Sequence, residues 1–327
     1  VSGDDAMAAV VMRDWHADAI ALERVPPPIP APGQIRIRIK ATGLSYVDAL
    51  TATGGYQDRP ALPGIPGSEC AGTIDAVGAD VTSFAVGDRV CALAIGGAWA
   101  EKVCIDEGDA DLLPDTMGFD AGAVVRVGYG TAAHALIDRV ALKAGETLLV
   151  LGAGGSVGGA SVEIGKALGA RVIAATSRAH GKLAALGADH VVGGAPATLR
   201  AEVEAIAERS GIDVVLDPLG GGWTEPAFRT LRPGGRHAVI GFAGGAIPAL
   251  PTNLPLLKEA ALVGVNLGRF VRREPGAARR IMQSLFAWFR DGAIRPTVAH
   301  RFALTDFAEA MTLVLEGRPD GRIVLRP

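Results

Sequence analysis

The segment VLGAGGSVGGA at residues 150–160 constrains the fold of this chain most, because it joins an apolar strand pattern to a helical one through a run of glycines. Glycines there permit a tight turn and let backbone N–H groups at a helix N-terminus approach an anionic group closely. The motif reads either as Gly152, Gly155 and Gly158 at three-residue steps, or as Ala153, Gly155 and Gly158 in the dinucleotide pattern with alanine in first place. Ser156 and Val157 lie between the last two glycines. A turn that only packs a helix on a sheet would carry the same glycines, so context decides. That context is TLLVLG, RVIAAT, DHVV, DVVLD, RHAVIG and ALVGV, six apolar runs that alternate with helical stretches from residue 147 onward. Nearly continuous apolar runs are what parallel strands need when helices cover both faces. They predict a doubly wound α/β domain that binds a dinucleotide.

A site that prefers NAD would place Asp or Glu at the end of RVIAAT to accept the ribose hydroxyls. The run ends instead in Thr176, Ser177 and Arg178, and no acid occurs between Glu163 and Asp189. Hydroxyl and guanidinium donors there can hold a 2′-phosphate, with Lys182 as a helper, so NADPH is the expected cofactor. As plain solvated charges, Arg178 and Lys182 would need no ligand.

Ahead of this domain the pattern is β-rich. QIRIRIKA at 34–41 alternates Ile35, Ile37 and Ile39 with Arg36, Arg38 and Lys40, the signature of a half-buried strand. The preceding segment, 26–33, holds five prolines and is expected to be an extended connector. Residues 60–67 form a second irregular loop, and 70–77, 89–94 and 98–105 read as further strands separated by Gly- and Asp-bearing turns. Short strands at this spacing predict a barrel-like domain. After Gly268 a long helix is expected around 277–291, a strand near 298–302, a helix near 306–316 and a last strand at 322–325, a tail that returns to the first domain.

Composition removes several function classes. Thirty-two Lys and Arg against thirty-five Asp and Glu leave a net charge of −3, too little basic excess for a nucleic-acid partner. The long uncharged stretch at 237–257 is broken by Pro248, Pro251 and Pro255, so no membrane helix is expected. Cys70, Cys91 and Cys104 are odd in number and not closely paired, which argues against a disulfide framework and for core or strand positions. Asp4 and Asp5 stand where a signal peptide would carry positive charge, so a cytoplasmic location is expected.

Five stretches together, GLSYVDALTATGGY at 43–56, LPGIPGSECAGTIDAVG at 62–78, YGTAAHAL at 129–136, VLGAGGSVG at 150–158 and VIGFAGGAIPALPTNLPLLK at 239–258, resemble the medium-chain dehydrogenase/reductase superfamily. They are most similar to its zinc-free quinone oxidoreductase, or zeta-crystallin-like, branch. The resemblance implies a GroES-like β-barrel catalytic domain at 1–120, a Rossmann domain with a doubly wound parallel sheet at 121–267, and a return to the catalytic domain at 268–327. Zinc alcohol dehydrogenases of the superfamily carry a Cys and a His where this chain has Ser45 and Ser68, and they have a four-cysteine zinc lobe that this chain lacks. Catalytic zinc needs three protein ligands, so no metal is expected.

Without a Lewis acid, reduction of an unactivated ketone loses several kcal/mol of charge stabilisation, on the order of what a metal supplies. A quinone or an α,β-unsaturated carbonyl delocalises the charge that hydride brings, and a few hydrogen-bond donors suffice. The resemblance places Tyr46 on the substrate side of the cleft, Ser45 in the lost cysteine place, and Tyr56 where related enoyl reductases have a tyrosine. A protonated phenol can donate to a developing enolate or hydroquinone oxygen. As a bland alternative each tyrosine is a half-buried aromatic with its hydroxyl in water. Asp48 is expected to turn a helix or pair with a nearby base. Thr131 matches a contact to the nicotinamide end, or starts a helix. Ala133 stands where the family usually has an aromatic. Gly241 and Phe242 end a strand at the ligand edge of the sheet, and Asn266, Leu267 and Gly268 match a segment that closes over the nicotinamide. The expected protein is a homodimer, paired through ALVGV, that reduces a small quinone or conjugated carbonyl with NADPH. Two alternatives stay open: an enoyl thioester reductase, for which Arg269, Arg272 and Arg273 would form a basic patch, and a non-catalytic NADPH-binding protein.

Overall fold

The computed structural model describes residues 6–57, 59–177, 180–193, 195–207, 211–317 and 319–327. They divide into two compact units, Val1–Val127 with Pro296–Pro327, and Gly128–Arg295.

The first unit opens on the antiparallel pair β1 (Met7–Met12) and β2 (Ile20–Val25). Strand β3 (Gln34–Leu44) follows, and its alternation is obeyed: Ile35, Ile37 and Ile39 are buried, while Arg36 reaches out to Asp75 at 2.7 Å. Helix α1 (Tyr46–Ala52) leads to β4 (Glu69–Val77), β5 (Arg89–Leu93), β6 (Lys102–Asp106), β7 (Ala110–Leu112) and the short α2 (Phe119–Gly122). Strand β3 pairs antiparallel with both β4 and β6, and Cys70, Ile74 and Val90 share its core. The strand expected at 98–105 begins only at Lys102, because the buried Trp99 ties the preceding residues down. Its amide donates to Pro66 O at 2.9 Å and its indole donates to Gly43 O at 3.2 Å.

In the second unit, α3 (Gly130–Ala133) precedes β8 (Thr147–Val150), α4 (Ser156–Ala167), β9 (Arg171–Ala175), α5 (His180–Ala185) and β10 (His190–Val192). Then come α6 (Pro196–Ala207), β11 (Ile212–Asp217), α7 (Thr224–Arg229), β12 (Leu231–Val239), α8 (Asn253–Lys258) and β13 (Ala261–Gly264). All six apolar runs are strands of one parallel sheet in the order β10-β9-β8-β11-β12-β13. The order reverses at β8, so the crevice at its carboxyl end is where such sheets bind ligands. The unit closes with α9 (Leu267–Arg273) and α10 (Pro275–Arg290).

The chain re-enters the first unit with β14 (Val298–Ala303), α11 (Phe307–Leu315) and β15 (Arg322–Arg326), which pairs antiparallel with β3. The return therefore starts at Pro296, not at the expected residue 268, and the first boundary falls after Val127 instead of 120. Helix α10 stays with the second unit because it buries Ile281, Met282 and Leu285, and the Glu163 carboxylate of α4 accepts the Arg295 amide at 2.7 Å. Among the described residues no helix is long and apolar enough to cross a membrane.

Candidate active site

The turn after β8 has the backbone that its glycines predict. Gly152 has φ +56°, and Gly155, at the N-cap of α4, leaves the first helical N–H groups without a side-chain cap. A Cβ on Gly158 would lie 2.2 Å from Gly152 O and 2.7 Å from Ala153 Cα, both backbone, so the helix rests directly on the turn. Ala153 is buried, its amide bonded to Ala175 O at 3.1 Å, whereas Gly155 is exposed and Ser156 and Val157 are half-buried. The N-terminus of a 12-residue helix that no side chain caps fits a pyrophosphate.

At the end of β9, Thr176 is buried, with its hydroxyl oxygen 3.3 Å from where a Gly154 side chain would begin, so it packs the turn from behind. Ser177 and Lys182 are exposed. Arg178 lies outside the described residues.

Sequence reasoning passed over the loop after β11. Leu219 Cδ2 would be 2.9 Å from a Gly152 side chain, and Phe242 Cδ1 would be 2.6 Å from one on Gly220. The amides of Ala243 and Gly244 donate to Pro218 O and Leu219 O at 3.0 and 2.8 Å. Gly152, the 218–221 loop, Gly241 and Phe242 are thereby assembled at the carboxyl edge of the sheet. Asp217 holds this loop: its Oδ1 accepts the Leu219 and Gly220 amides at 3.0 and 2.8 Å, and its Oδ2 accepts the Thr224 hydroxyl at 2.7 Å. His237 Nε2 lies 3.1 Å from the same oxygen. Burial alone would raise the Asp217 carboxyl, but its bonds to His237, Gly220 and Thr224 hold it below the ordinary carboxylate value. The available signal was an aspartate closing an apolar strand just before a glycine run, DPLGGG.

Thr131 does not begin a helix. Tyr129 already has helical φ −74° and ψ −37°, and Thr131 sits half-buried in the second position of α3. Two glycines place it: a side chain on Gly128 would meet Ser156 Oγ at 2.6 Å, and one on Gly130 would meet Leu267 at 3.7 Å. Asn266 caps α9, its Oδ1 accepting the Arg269 amide at 2.9 Å, with Leu267 and Gly268 in the first turn.

In the first unit, Ser45 and Asp48 form a capping box at the start of α1. Asp48 Oδ2 accepts both the Ser45 amide, at 2.8 Å, and the Ser45 hydroxyl, at 2.6 Å, while its Oδ1 accepts the Ser68 hydroxyl at 2.6 Å. Among the described residues no base pairs with Asp48, which gathers the two serines instead. Burial raises its carboxyl even against those bonds. Beside it Glu69, 3% exposed, accepts the Val127 amide at 2.9 Å, and burial pushes its carboxyl up to about 8 despite that bond. Two hydroxyls already donating to one carboxylate do not make a zinc ligand set. Among the described residues no three His, Cys, Asp or Glu side chains gather as one. Tyr46, in the first turn of α1, packs its half-buried ring on the core around Leu44 and Phe307. Tyr56 is half-buried in the loop that follows. Cys70 and Cys91 are buried strand residues and Cys104 is partly buried; burial pushes the Cys70 thiol up to about 12.

Comparison with known proteins matches residues 31–137 to the alcohol dehydrogenase GroES-like domain family and residues 186–325 to the zinc-binding dehydrogenase family. The chain is 32% identical over 309 residues to mouse (Mus musculus) quinone oxidoreductase-like protein 2, covering 94% of this chain and 88% of that protein. Over 286 residues it is 32% identical to the quinone oxidoreductase of Rattus norvegicus, covering 86% and 85%. A mycobacterial protein solved in complex with NADPH superposes with a TM-score of 0.92 at 27% identity, over 98% of this chain and 100% of that one.

Proposed function

This chain belongs to the quinone oxidoreductase branch of the medium-chain dehydrogenase/reductase superfamily, and from that membership we propose that it reduces a quinone or an α,β-unsaturated carbonyl with NADPH and without zinc. When bound, the cofactor supplies the hydride. The N-terminal turn of α4 holds its pyrophosphate, and Ser177, Arg178 and Lys182 take the 2′-phosphate. Thr131 and residues 266–268 orient the nicotinamide end, with Gly241 and Phe242 along the same edge. Tyr46 donates to the acceptor oxygen as negative charge builds there, with Tyr56 as a second donor. Ser45 acts as a positioning residue, since its hydroxyl already donates to Asp48.

The observation that carries this reading is the commitment of Ser45 and Ser68 to Asp48 in a chain that keeps a complete dinucleotide turn. Donors of that kind cannot replace a Lewis acid for an isolated ketone, but an acceptor that spreads charge by conjugation needs only hydrogen bonds. Strand β13 ends the sheet with exposed Ala261 and Leu262, and Leu256 and Leu257 are exposed just before it, which supports a homodimer paired along this edge. A cytoplasmic setting accords with the unpaired thiols.

The test is NADPH consumption with and without an added quinone or enone, with NADH run beside it. Acceptor-dependent oxidation faster with NADPH is expected. Bound NADPH that no acceptor consumes would make this a dinucleotide-binding protein instead. In the same assay Arg178→Ala is expected to weaken NADPH by roughly 1.5 to 3 kcal/mol while leaving NADH nearly unchanged. Equal losses for both cofactors would remove Arg178 from the 2′-phosphate.

A further inference from the structure

Glu163 is a buried acid to which the reduction described above gives no part. It sits in α4 between Val162 and Ile164, is 4% exposed, and has apolar or small residues on either side from Ala160 to Gly165. A carboxylate is costly to bury unless donors meet it. Two do so: the Tyr129 hydroxyl donates to its Oε2, and the Arg295 amide donates to its Oε1 at 2.7 Å. Tyr129 stands one residue inside the start of the second unit and Arg295 is its last residue. One side chain of the dinucleotide helix thus holds both chain ends of that unit.

The bond to Tyr129 has a consequence further along the chain. Ser156 and Glu163 lie seven residues apart on α4, two turns or about 10 Å, and so on one face of the helix. Gly128 rests on Ser156, where a side chain would meet Ser156 Oγ at 2.6 Å. Its neighbour Tyr129, fully buried, reaches Glu163 with its phenol oxygen. The segment 128–131 is therefore fastened to α4 at two points, beside the glycine turn and two turns beyond it. Thr131 follows in α3, and Leu267 lies 3.7 Å from where a side chain on Gly130 would begin. We propose that Glu163 is a positioning residue for hydride transfer: by holding the Tyr129 hydroxyl, it fixes the depth at which Thr131 meets the nicotinamide. This rests on the reading given above, in which Thr131 orients that end of the cofactor. Hydride transfer tolerates little error of position, since a displacement of about 1 Å can cost about 10²-fold in rate. The pyrophosphate and the 2′-phosphate are held elsewhere, so NADPH affinity depends little on this link. Glu163 and Tyr129 neither give nor take a proton during turnover.

The test follows hydride transfer in single turnovers with naphthoquinone or cyclohexenone, whichever the wild type reduces, alongside NADPH binding and thermal melts. Tyr129→Phe keeps the ring and removes the hydroxyl. Its transfer rate is expected to fall about tenfold or more while the Kd for NADPH changes little. Glu163→Leu is expected to behave alike, whereas Glu163→Gln recovers most of the rate, because its amide can donate to the phenol oxygen and accept from Arg295. Thr131→Val is expected to slow transfer as well. The double variant Tyr129→Phe/Thr131→Val should be no slower than the slower single variant, since the two residues act in series. A merely structural clasp would lower the Tm of Tyr129→Phe and leave transfer by the folded protein unchanged, and that result overturns the proposal. Additive losses in the double variant overturn it too. Failure of the parent reading looks different: the wild type itself reduces neither acceptor, and the proposal falls with it.

Discussion

Glu69 shows how far one residue can depart from its solution behaviour. Its carboxyl, ordinarily near 4.5, stands at about 8 because burial, reinforced by the charge of Asp48, outweighs the bonds it accepts from backbone amides. Between those two values the folded protein holds a proton that the unfolded chain releases, so stability falls as pH rises through that window. Urea midpoints of the wild type are expected to drop between about pH 5 and about pH 9, while Glu69→Gln, neutral throughout and still able to accept the Val127 amide, stays flatter and is the more stable protein at the alkaline end. Parallel curves for the two proteins would mean that Glu69 ionises normally. Tyr46 offers a functional test at the same scale. Tyr46→Phe keeps the ring on its apolar cluster and removes only the donor, so Tm and NADPH affinity should hold while kcat falls by up to about 10²- to 10³-fold. The loss is expected to be larger for enones than for quinones, and unaltered turnover with both acceptors would leave Tyr46 a packing aromatic. Neither the state of Glu69 nor the Ser45–Asp48–Ser68 arrangement was legible in the sequence. Residues twenty positions apart, such as Asp48 and Ser68, meet only once β4 has paired with β3.

Elements, by contrast, were largely legible. Strands buried on both faces must be apolar along their length, and each of the six such runs became a strand of the parallel sheet. The glycine turn was readable because backbone contact, not chemistry, dictates it. Gly158→Ala drives a methyl group into Gly152 O and Ala153 Cα. That change is expected to cost about 1 to 3 kcal/mol of stability and to weaken dinucleotide binding, seen in thermal melts with and without NADPH. A variant that melts and binds like the wild type would show that α4 stands off the turn. Less legible were the 218–221 loop, which Asp217 organises through its own side chain, and the start of β6, delayed by the burial of Trp99. In both cases a single side chain sets local backbone that strand periodicity does not encode.

For the whole molecule, the sequence separates a β-rich part from a doubly wound part, but the end of the second unit is set by packing. Helix α10 has an apolar face that alternation of strands and helices cannot assign to either unit, and its burial of Ile281 and Leu285 keeps the chain in the second unit up to Arg295. The central claim is that this two-unit oxidoreductase passes hydride to a conjugated acceptor using hydrogen-bond donors alone. Turnover of a conjugated enone and of its saturated ketone counterpart, by protein whose zinc content has been determined before and after chelation, tests it most directly. The account predicts less than stoichiometric zinc, enone reduction unaffected by the chelator, and no measurable turnover of the saturated ketone. One tightly held zinc per chain, with enone reduction lost on its removal and restored on its return, would contradict it.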